Sequence, residues 1–258
     1  MRYLFGLLCV CALGFLPLVG CSDDNGGGGS GGSAGTGGTG GSGGAETTSI
    51  SGVFTGWDPL QGPLGPLEGV EICETDTDNC VLTDAEGAAT LQMPTDEETS
   101  VTVTKEGFAQ YLIPMVLSEA PAPIPFGMAT EQRIEDMHAL VMSPYPMEGT
   151  GDISINVPAG SAFAGATLDL GDATGQVFYY DDQGNWDAEL TASTTFEGPL
   201  GGFTEVSPGV VQVEIGGTAQ NCIRLLSISG WPGDVANSVR MPIREGYLTS
   251  VQVTCDAP

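Results

Sequence analysis

Short runs in which apolar and polar side chains alternate, broken repeatedly by turn formers, are the pattern that most restricts the fold of this chain. A period of two places one side of a strand in a core and the other side in solvent. Gly, Pro, Asn and Asp separate the runs, and many short strands with frequent turns are typical of β-sandwiches. The clearest runs lie at 50–54, 70–72, 89–93, 101–104, 153–157, 177–180, 203–206, 210–215, 239–243 and 248–254.

This pattern predicts an all-β protein with two tandem Greek-key β-sandwiches, at residues 49–118 and 151–258. A connector at 119–150 lies between them, and its prolines at 121, 123 and 125 favour irregular structure at its start. Residues 130–142 then carry the one good helical pattern in the chain. Thr130 can cap that helix, and its apolar face is formed by Ile134, Met137 and Val141.

The N-terminal residues have the order of a secretory signal, with Arg2 followed by an apolar run from 3 to 19. The run ends in Leu18-Val19-Gly20-Cys21, which resembles the signal of bacterial lipoproteins. The resemblance implies that residues 1–20 are removed and that Cys21 is diacylated and inserted into a lipid bilayer. We therefore expect a lipid-anchored protein of the bacterial cell envelope. Ser22 after the cysteine favours the outer membrane, with either a periplasmic or a surface-exposed position.

Residues 21–48 form a linker between the acylated cysteine and the first strand. Between residues 26 and 44 it contains only Gly, Ser, Thr and one Ala. Such a segment cannot bury apolar surface, so we expect a disordered tether that lifts the folded part from the lipid.

Four cysteines remain when the signal peptide and Cys21 are set aside. An even number in an oxidising compartment predicts two disulfides. Three pairings are possible in principle. The local pairs are favoured because each lies within one predicted module. A metal site built from all four cysteines would need the shorter spacing of zinc ribbons. The expected pairs are Cys73 with Cys80 and Cys222 with Cys255.

Three motifs of the first module resemble the carboxypeptidase regulatory-like domain. These are Leu67-Glu68-Gly69-Val70-Glu71-Ile72, Thr83-Asp84-Ala85-Glu86-Gly87 and the segment from Val101 to Phe108. The resemblance covers about 70 residues and implies a transthyretin-like (prealbumin-like) sandwich that acts as a non-catalytic module of surface proteins. A Pro- and Gly-rich insertion at 58–66 interrupts the usual first strand of that family. The second module is similar to the same broad group of sandwiches.

Two kinds of side chain are candidates for binding. Trp186 and Trp231 lie near turns, where tryptophans can stack on sugar rings, although they more commonly fill one end of a sandwich. Carboxylates near turns could hold Ca²⁺, although they could equally be turn formers or face water. The calcium candidates are Asp76, Asp78, Asp181, Asp182 and Asp187.

Charge and composition exclude several functions. The chain has 33 acidic residues against 6 basic ones, so it lacks the basic surface that nucleic acids need. Its single histidine, His138, cannot form a multi-histidine zinc site and has no partner identifiable from sequence. We expect a non-catalytic structural, adhesion or binding module without a cofactor. The alternatives are a carbohydrate- or Ca²⁺-binding surface protein and, less favoured, a glycosidase-type enzyme. Cell-surface polysaccharide and envelope proteins are the partner classes, and the oligomeric state stays open.

Overall fold

A computed structural model of the chain describes residues 46–58, 62–118, 120, 123–158, 161, 163–224 and 235–256. The predicted signal peptide, Cys21, nearly all of the tether and Trp231 lie outside the described residues. The first strands are β1 (Thr47–Asp58), β2 (Gly62–Pro66), β3 (Glu71–Glu74), β4 (Cys80–Leu82), β5 (Ala88–Pro94), β6 (Thr99–Thr104), β7 (Tyr111–Met115) and β8 (Ile124–Met128).

One helix, α1 (Glu131–Val141), follows β8 and is the one helix of the described residues. It is too short and too polar to cross a membrane. The remaining strands are β9 (Gly151–Asn156), β10 (Ala166–Asp169), β11 (Gln176–Tyr180), β12 (Trp186–Asp187), β13 (Pro199–Val206), β14 (Gly209–Gly217), β15 (Gln220–Arg224), β16 (Ser238–Ile243) and β17 (Leu248–Asp256). The prediction of an all-β protein with one short helix is confirmed.

The strands form three sheets. The largest runs in the order β12-β11-β13-β9-β17-β7-β6-β3-β4, and β15 pairs with β17 beside that path. A small sheet of β2, β1, β5 and β8 shares one apolar core with β3, β6 and β7. A second small sheet of β10, β14 and β16 shares another core with β9, β13 and β17. Each core is therefore enclosed between two sheets, as a sandwich requires.

Strand β17 joins the two halves of the large sheet. Leu248 and Thr249 pair in parallel with Tyr111 and Leu112 of β7, while the same stretch pairs in parallel with β9. Further along, β17 pairs with β15. The last strand of the second predicted module is thus hydrogen-bonded to the first, and the large sheet is continuous across both. The domain boundaries at 118 and 151 stay a prediction.

Two stretches differ from expectation because prolines can occupy edge strands. The predicted insertion at 58–66 pairs with the end of β1 as β2. The proline-rich start of the connector includes β8, in which Pro125 lies opposite Val53 of β1. Within the described part of the chain, β8 pairs with β1 and with no other strand, so the missing proline N–H removes no ladder hydrogen bond on its other side.

The helix packs on one face of the large sheet, and the second core lies on the opposite face. Along β9, Ile153 and Ile155 enter the second core, whereas Asp152 bonds to the helix. Along β11, Tyr179 enters the second core, whereas Phe178 and Tyr180 belong to the first core together with α1. The predicted cap is present, because the Arg133 amide donates to Thr130 Oγ1 at 3.2 Å. The three predicted apolar residues of the helix are all buried.

Candidate functional site

Both expected disulfides are present. Cys73 and Cys80 lie directly opposite each other on β3 and β4, with Cα atoms 4.1 Å apart. Cys222 of β15 bonds to Cys255 of β17, with Cα atoms 4.0 Å apart. The favoured local pairing is thus the one that forms, and these four sulfurs are not available as metal ligands.

The acids of the Cys73–Cys80 loop do not converge on a cation site. Asp76 and Asp78 are exposed, and Asp76 Oδ1 accepts a hydrogen bond from Arg244 Nη1 at 2.9 Å. Among the described residues, the one group of three potential ligand atoms close enough for a metal is Glu71 with Cys73 and Cys80. Because both of these cysteines are oxidised to a disulfide, that group cannot supply thiolates to a metal.

The acids near β12 form turns. Asp181 Oδ1 accepts from the amides of Gln183 at 2.9 Å and Asn185 at 2.8 Å, which is an Asx turn. Burial acts to raise the pKa of Asp181, but the hydrogen bonds from Asn185, Gln183 and Gly184 outweigh it, so that pKa is lowered. Asp187 Oδ1 accepts from the Glu189 amide at 2.8 Å, and Asp182 is exposed to solvent.

The proposal that Trp186 is a sugar-binding platform is wrong. Its side chain is only 3% exposed and stacks on Phe178, with ring centroids 4.0 Å apart and planes at 19°. The indole also lies 5.3 Å from the His138 ring. Trp186 packs between α1 and Phe178 of the large sheet, so its ring faces are covered.

The single histidine is part of a buried pair. His138 Nε2 lies 2.8 Å from Asp152 Oδ2, and the two residues are 1% and 0% exposed. Tyr145 covers the imidazole from another side, at 5.1 Å between ring centroids. The contact links α1 to β9. Because both side chains are buried, a ligand from solvent cannot reach them. Sequence reasoning could not find Asp152, because nothing local to the strand distinguishes it from the other acids.

Burial raises the pKa of the Asp152 carboxyl above its ordinary value, while the His138 contact and the Glu205 backbone amide oppose that rise. The Glu205 side-chain charge adds to it. Burial likewise raises the pKa of Tyr145, and the charges of Glu131, Asp152 and Glu135 raise it further.

The structure contains an open cleft of about 890 Å³, here called the junction cleft. One wall comes from β3, β4 and the turn between β6 and β7. The other comes from the start of α1, the segment after the helix and the turn between β16 and β17. Its lining includes Glu71, Leu82, Lys105, Glu106, Phe108, Gln110, Glu131, Tyr145, Pro146, Met147, Glu148, Glu245 and Tyr247.

The junction cleft is strongly negative. Five glutamates line it, all of them exposed, against one cation, Lys105. The Lys105 ammonium donates to the Glu68 carbonyl at 2.7 Å, which directs it to the backbone rather than to those carboxylates. The glutamates are at positions 71, 106, 131, 148 and 245.

Rigid elements hold the walls of the cleft. The Leu248 amide donates to the Gln110 carbonyl at 2.9 Å, and the Gly246 amide donates to the Thr150 carbonyl at 2.9 Å. Glu245 Oε1 accepts from the Gly149 amide at 2.8 Å. These contacts join segments more than ninety residues apart, which explains why no local sequence pattern indicated the cleft.

Comparison with known proteins gives weak similarity. No family model matches the chain, and no curated protein matches it. The resemblance to the carboxypeptidase regulatory-like domain therefore stays a prediction.

Among solved structures, the Bacillus anthracis TIE protein is 14% identical over 83% of this chain and 34% of its own, with a TM-score of 0.24. The minor pilin GBS52 of Streptococcus agalactiae is 12% identical over 83% of this chain and 97% of its own, with a TM-score of 0.24. A streptococcal ancillary pilin is 11% identical over 81% and 62%, with a TM-score of 0.23. This chain thus spans about a third of the TIE protein, and at such TM-scores the similarities carry no argument about function.

Proposed function

We propose that this chain is a non-catalytic adhesion module of the bacterial cell envelope, and that it binds a partner in the junction cleft. The observation that carries the proposal is the cleft itself, which has a volume of about 890 Å³ and walls from distant parts of the chain. Open clefts of this size that combine aromatic and polar side chains are the usual places for binding.

The architecture suits a module that resists deformation. The large sheet contributes strands to both cores, and in each half a disulfide links two paired strands. The helix is fixed to the sheet by the His138–Asp152 pair. A rigid scaffold keeps the two cleft walls at constant spacing, which lowers the entropic cost of binding.

The anchor is the second part of the proposal. Diacylated Cys21 would hold the chain in the outer membrane, and the Gly-rich tether after it would let the folded part reach partners beyond the lipid. From residue 49 onward there are 30 acids and 5 bases, so the folded part repels anionic lipid. We therefore propose an envelope protein, rather than the membrane surface, as the partner in the cleft.

A comparison of two charge variants tests this function. The cleft variant replaces three lining glutamates by glutamine, which keeps the side-chain shape and one acceptor oxygen at each position: Glu71→Gln, Glu148→Gln and Glu245→Gln. The control variant removes the same charge from exposed positions that do not line the cleft: Glu189→Gln, Glu197→Gln and Glu214→Gln.

Cells displaying the full chain would be passed over a surface coated with envelope extract, and the retained fraction counted. We expect the cleft variant to lose retention and the control variant to keep it. Protease treatment of the coat should abolish retention, whereas oxidation of its sugars should not. Equal retention of both variants would overturn the proposed function.

A further inference from the structure

We infer that the ligand of the junction cleft is an extended, positively charged polypeptide segment of another protein. This inference rests on the proposed function and adds the chemistry of its partner. Its basis is the combination of spaced carboxylates, half-buried aromatic side chains and one exposed leucine in the cleft, where that leucine belongs to the end strand of a sheet.

The charge of the cleft selects for a cation. Five exposed glutamates against one backbone-bound lysine leave a net negative lining. A wall of one charge sign concentrates ligands of the opposite sign and speeds their association. An acidic or neutral polymer gains nothing from such a lining.

The spacing of the carboxylates favours several charges over one ion. Calcium needs six to eight oxygens gathered around a point. No three carboxylates of the cleft lie within 4.8 Å of one another in the described part of the chain. The charges are distributed along the walls, which matches a ligand whose cationic groups are also distributed along a chain.

One aromatic residue of the lining, Tyr247, already contacts a guanidinium of the protein itself. The Arg244 guanidinium carbon lies 5.3 Å from the ring centroid of Tyr247, which lines the cleft. The same guanidinium bonds to Asp76 at 2.9 Å. This intramolecular contact has the same chemistry as the recognition that we propose, in which a cation contacts a carboxylate and an aromatic ring.

Apolar side chains and a sheet edge favour a polypeptide over a small polyamine. Leu82 is 65% exposed and Phe108 is half-buried, and both line the cleft. Both can cover the aliphatic stems of lysine or arginine. Leu82 belongs to β4, the terminal strand of the large sheet in its described part, and an edge strand can pair with an incoming extended backbone.

The ligand must come from outside this chain. The segments outside the described structure from residue 21 onward contain neither Lys nor Arg. Of the bases in the folded part, Arg133 and Arg224 are buried, Lys105 bonds to Glu68, and Arg244 bonds to Asp76. The last, Arg240, already has an interaction. A second copy of this chain therefore offers no basic segment either.

Fluorescence anisotropy with a labelled peptide of alternating lysine and valine tests the inference on the full chain. A glutamate–valine peptide of equal length and Ca²⁺ alone serve as the other probes. We expect the basic peptide to bind, with affinity that falls when salt rises from about 0.05 to about 0.5 M because the charges are screened. The cleft variant should bind about tenfold more weakly, since three exposed charge contacts are removed, and the control variant should not.

The inference is overturned if the basic peptide does not bind at low salt, if the cleft and control variants weaken binding equally, or if the acidic peptide binds as well. Displacement of the basic peptide by millimolar Ca²⁺, without an equal effect of the same ionic strength of NaCl, would also overturn it. Should the cleft variant lose adhesion while the native chain ignores the basic peptide, the inference fails and the proposed function stands. If the cleft variant adheres as well as the native chain, the proposed function is contradicted too.

Discussion

His138 of α1 and Asp152 of β9 form a buried pair, with Nε2 and Oδ2 2.8 Å apart and both side chains almost wholly removed from solvent. The pair joins α1 to the face of the large sheet opposite the second core. The same helix and the segment after it supply Glu131 and Tyr145 to the junction cleft. The pair therefore lies between the large sheet and an element that contributes to one cleft wall.

We expect His138→Ala to reduce the free energy of unfolding by about 3–5 kcal/mol, because it leaves a buried carboxyl without its partner. Adding Asp152→Asn to His138→Ala should restore part of the loss, because the two positions are coupled. Urea denaturation of the purified chain measures both. Gln132→Ala, at an exposed position of the same helix, is the control and should change stability by less than about 0.5 kcal/mol. A loss below about 1 kcal/mol for His138→Ala would show that the pair does not secure the helix.

The pH dependence of stability should also report the pair. Burial raises the pKa of Asp152 above its ordinary value of 3.8, so the native state keeps a proton that the unfolded chain releases. The contribution of this group to stability is therefore greatest at low pH and falls as pH rises from about 3.8 through the raised pKa. The groups that face it are His138, Glu205, Tyr145 and Tyr180.

Asp152→Asn, which cannot titrate, isolates that contribution from the other acids. The stability of this variant relative to the native chain should increase as pH rises from about 4 towards neutrality. Urea midpoints of both proteins across this range give the difference. A difference that stays constant, or that moves in favour of the native chain, contradicts the raised pKa.

The two disulfides should contribute unequally. The loop-entropy relation gives about 3–4 kcal/mol for Cys222–Cys255, which closes the longer loop, and about 2–3 kcal/mol for Cys73–Cys80. Paired replacement of each by alanine, followed by urea denaturation, compares them. Equal losses, or a larger loss for the short loop, would mean that loop length does not set their contributions.

The lipid anchor is open to a direct mass measurement. We expect the native protein to begin at Cys21 and to carry the added mass of two acyl chains joined through a glyceryl group. A Cys21→Ser variant should leave the membrane fraction and be recovered in the soluble fraction. An unmodified Cys21 in the native protein, or a membrane-bound variant, would contradict the anchor.

Local signals in the sequence predicted the strands and the helix well. Val101 and Val103 alternate with threonines, and Thr130 precedes a helical period, so neighbours along the chain carried the information. The prolines at the start of the connector predicted irregular structure where β8 forms, because an edge strand tolerates proline. The neighbouring runs at 203–206 and 210–215 both form strands, but these enter different sheets, β13 beside β9 and β14 beside β16.

The candidate site could not be predicted in the same way. Trp186 lies in a turn-rich segment of the sequence, and only the packing of α1 against the sheet shows that its ring is covered. The cleft combines residues distant in sequence, among them Glu71, Tyr145 and Glu245, because β17 pairs with both β7 and β9. That pairing depends on long-range order, which alternation of residue types cannot encode.

Hydrogen exchange of the full chain, with and without the lysine–valine peptide, tests most directly whether the junction cleft is the binding site. The account predicts slower amide exchange in β4, in the turn at 105–110, at 145–148 and at 245–247, with no change in β14. Protection that appears elsewhere on the molecule while these segments are unchanged would contradict it.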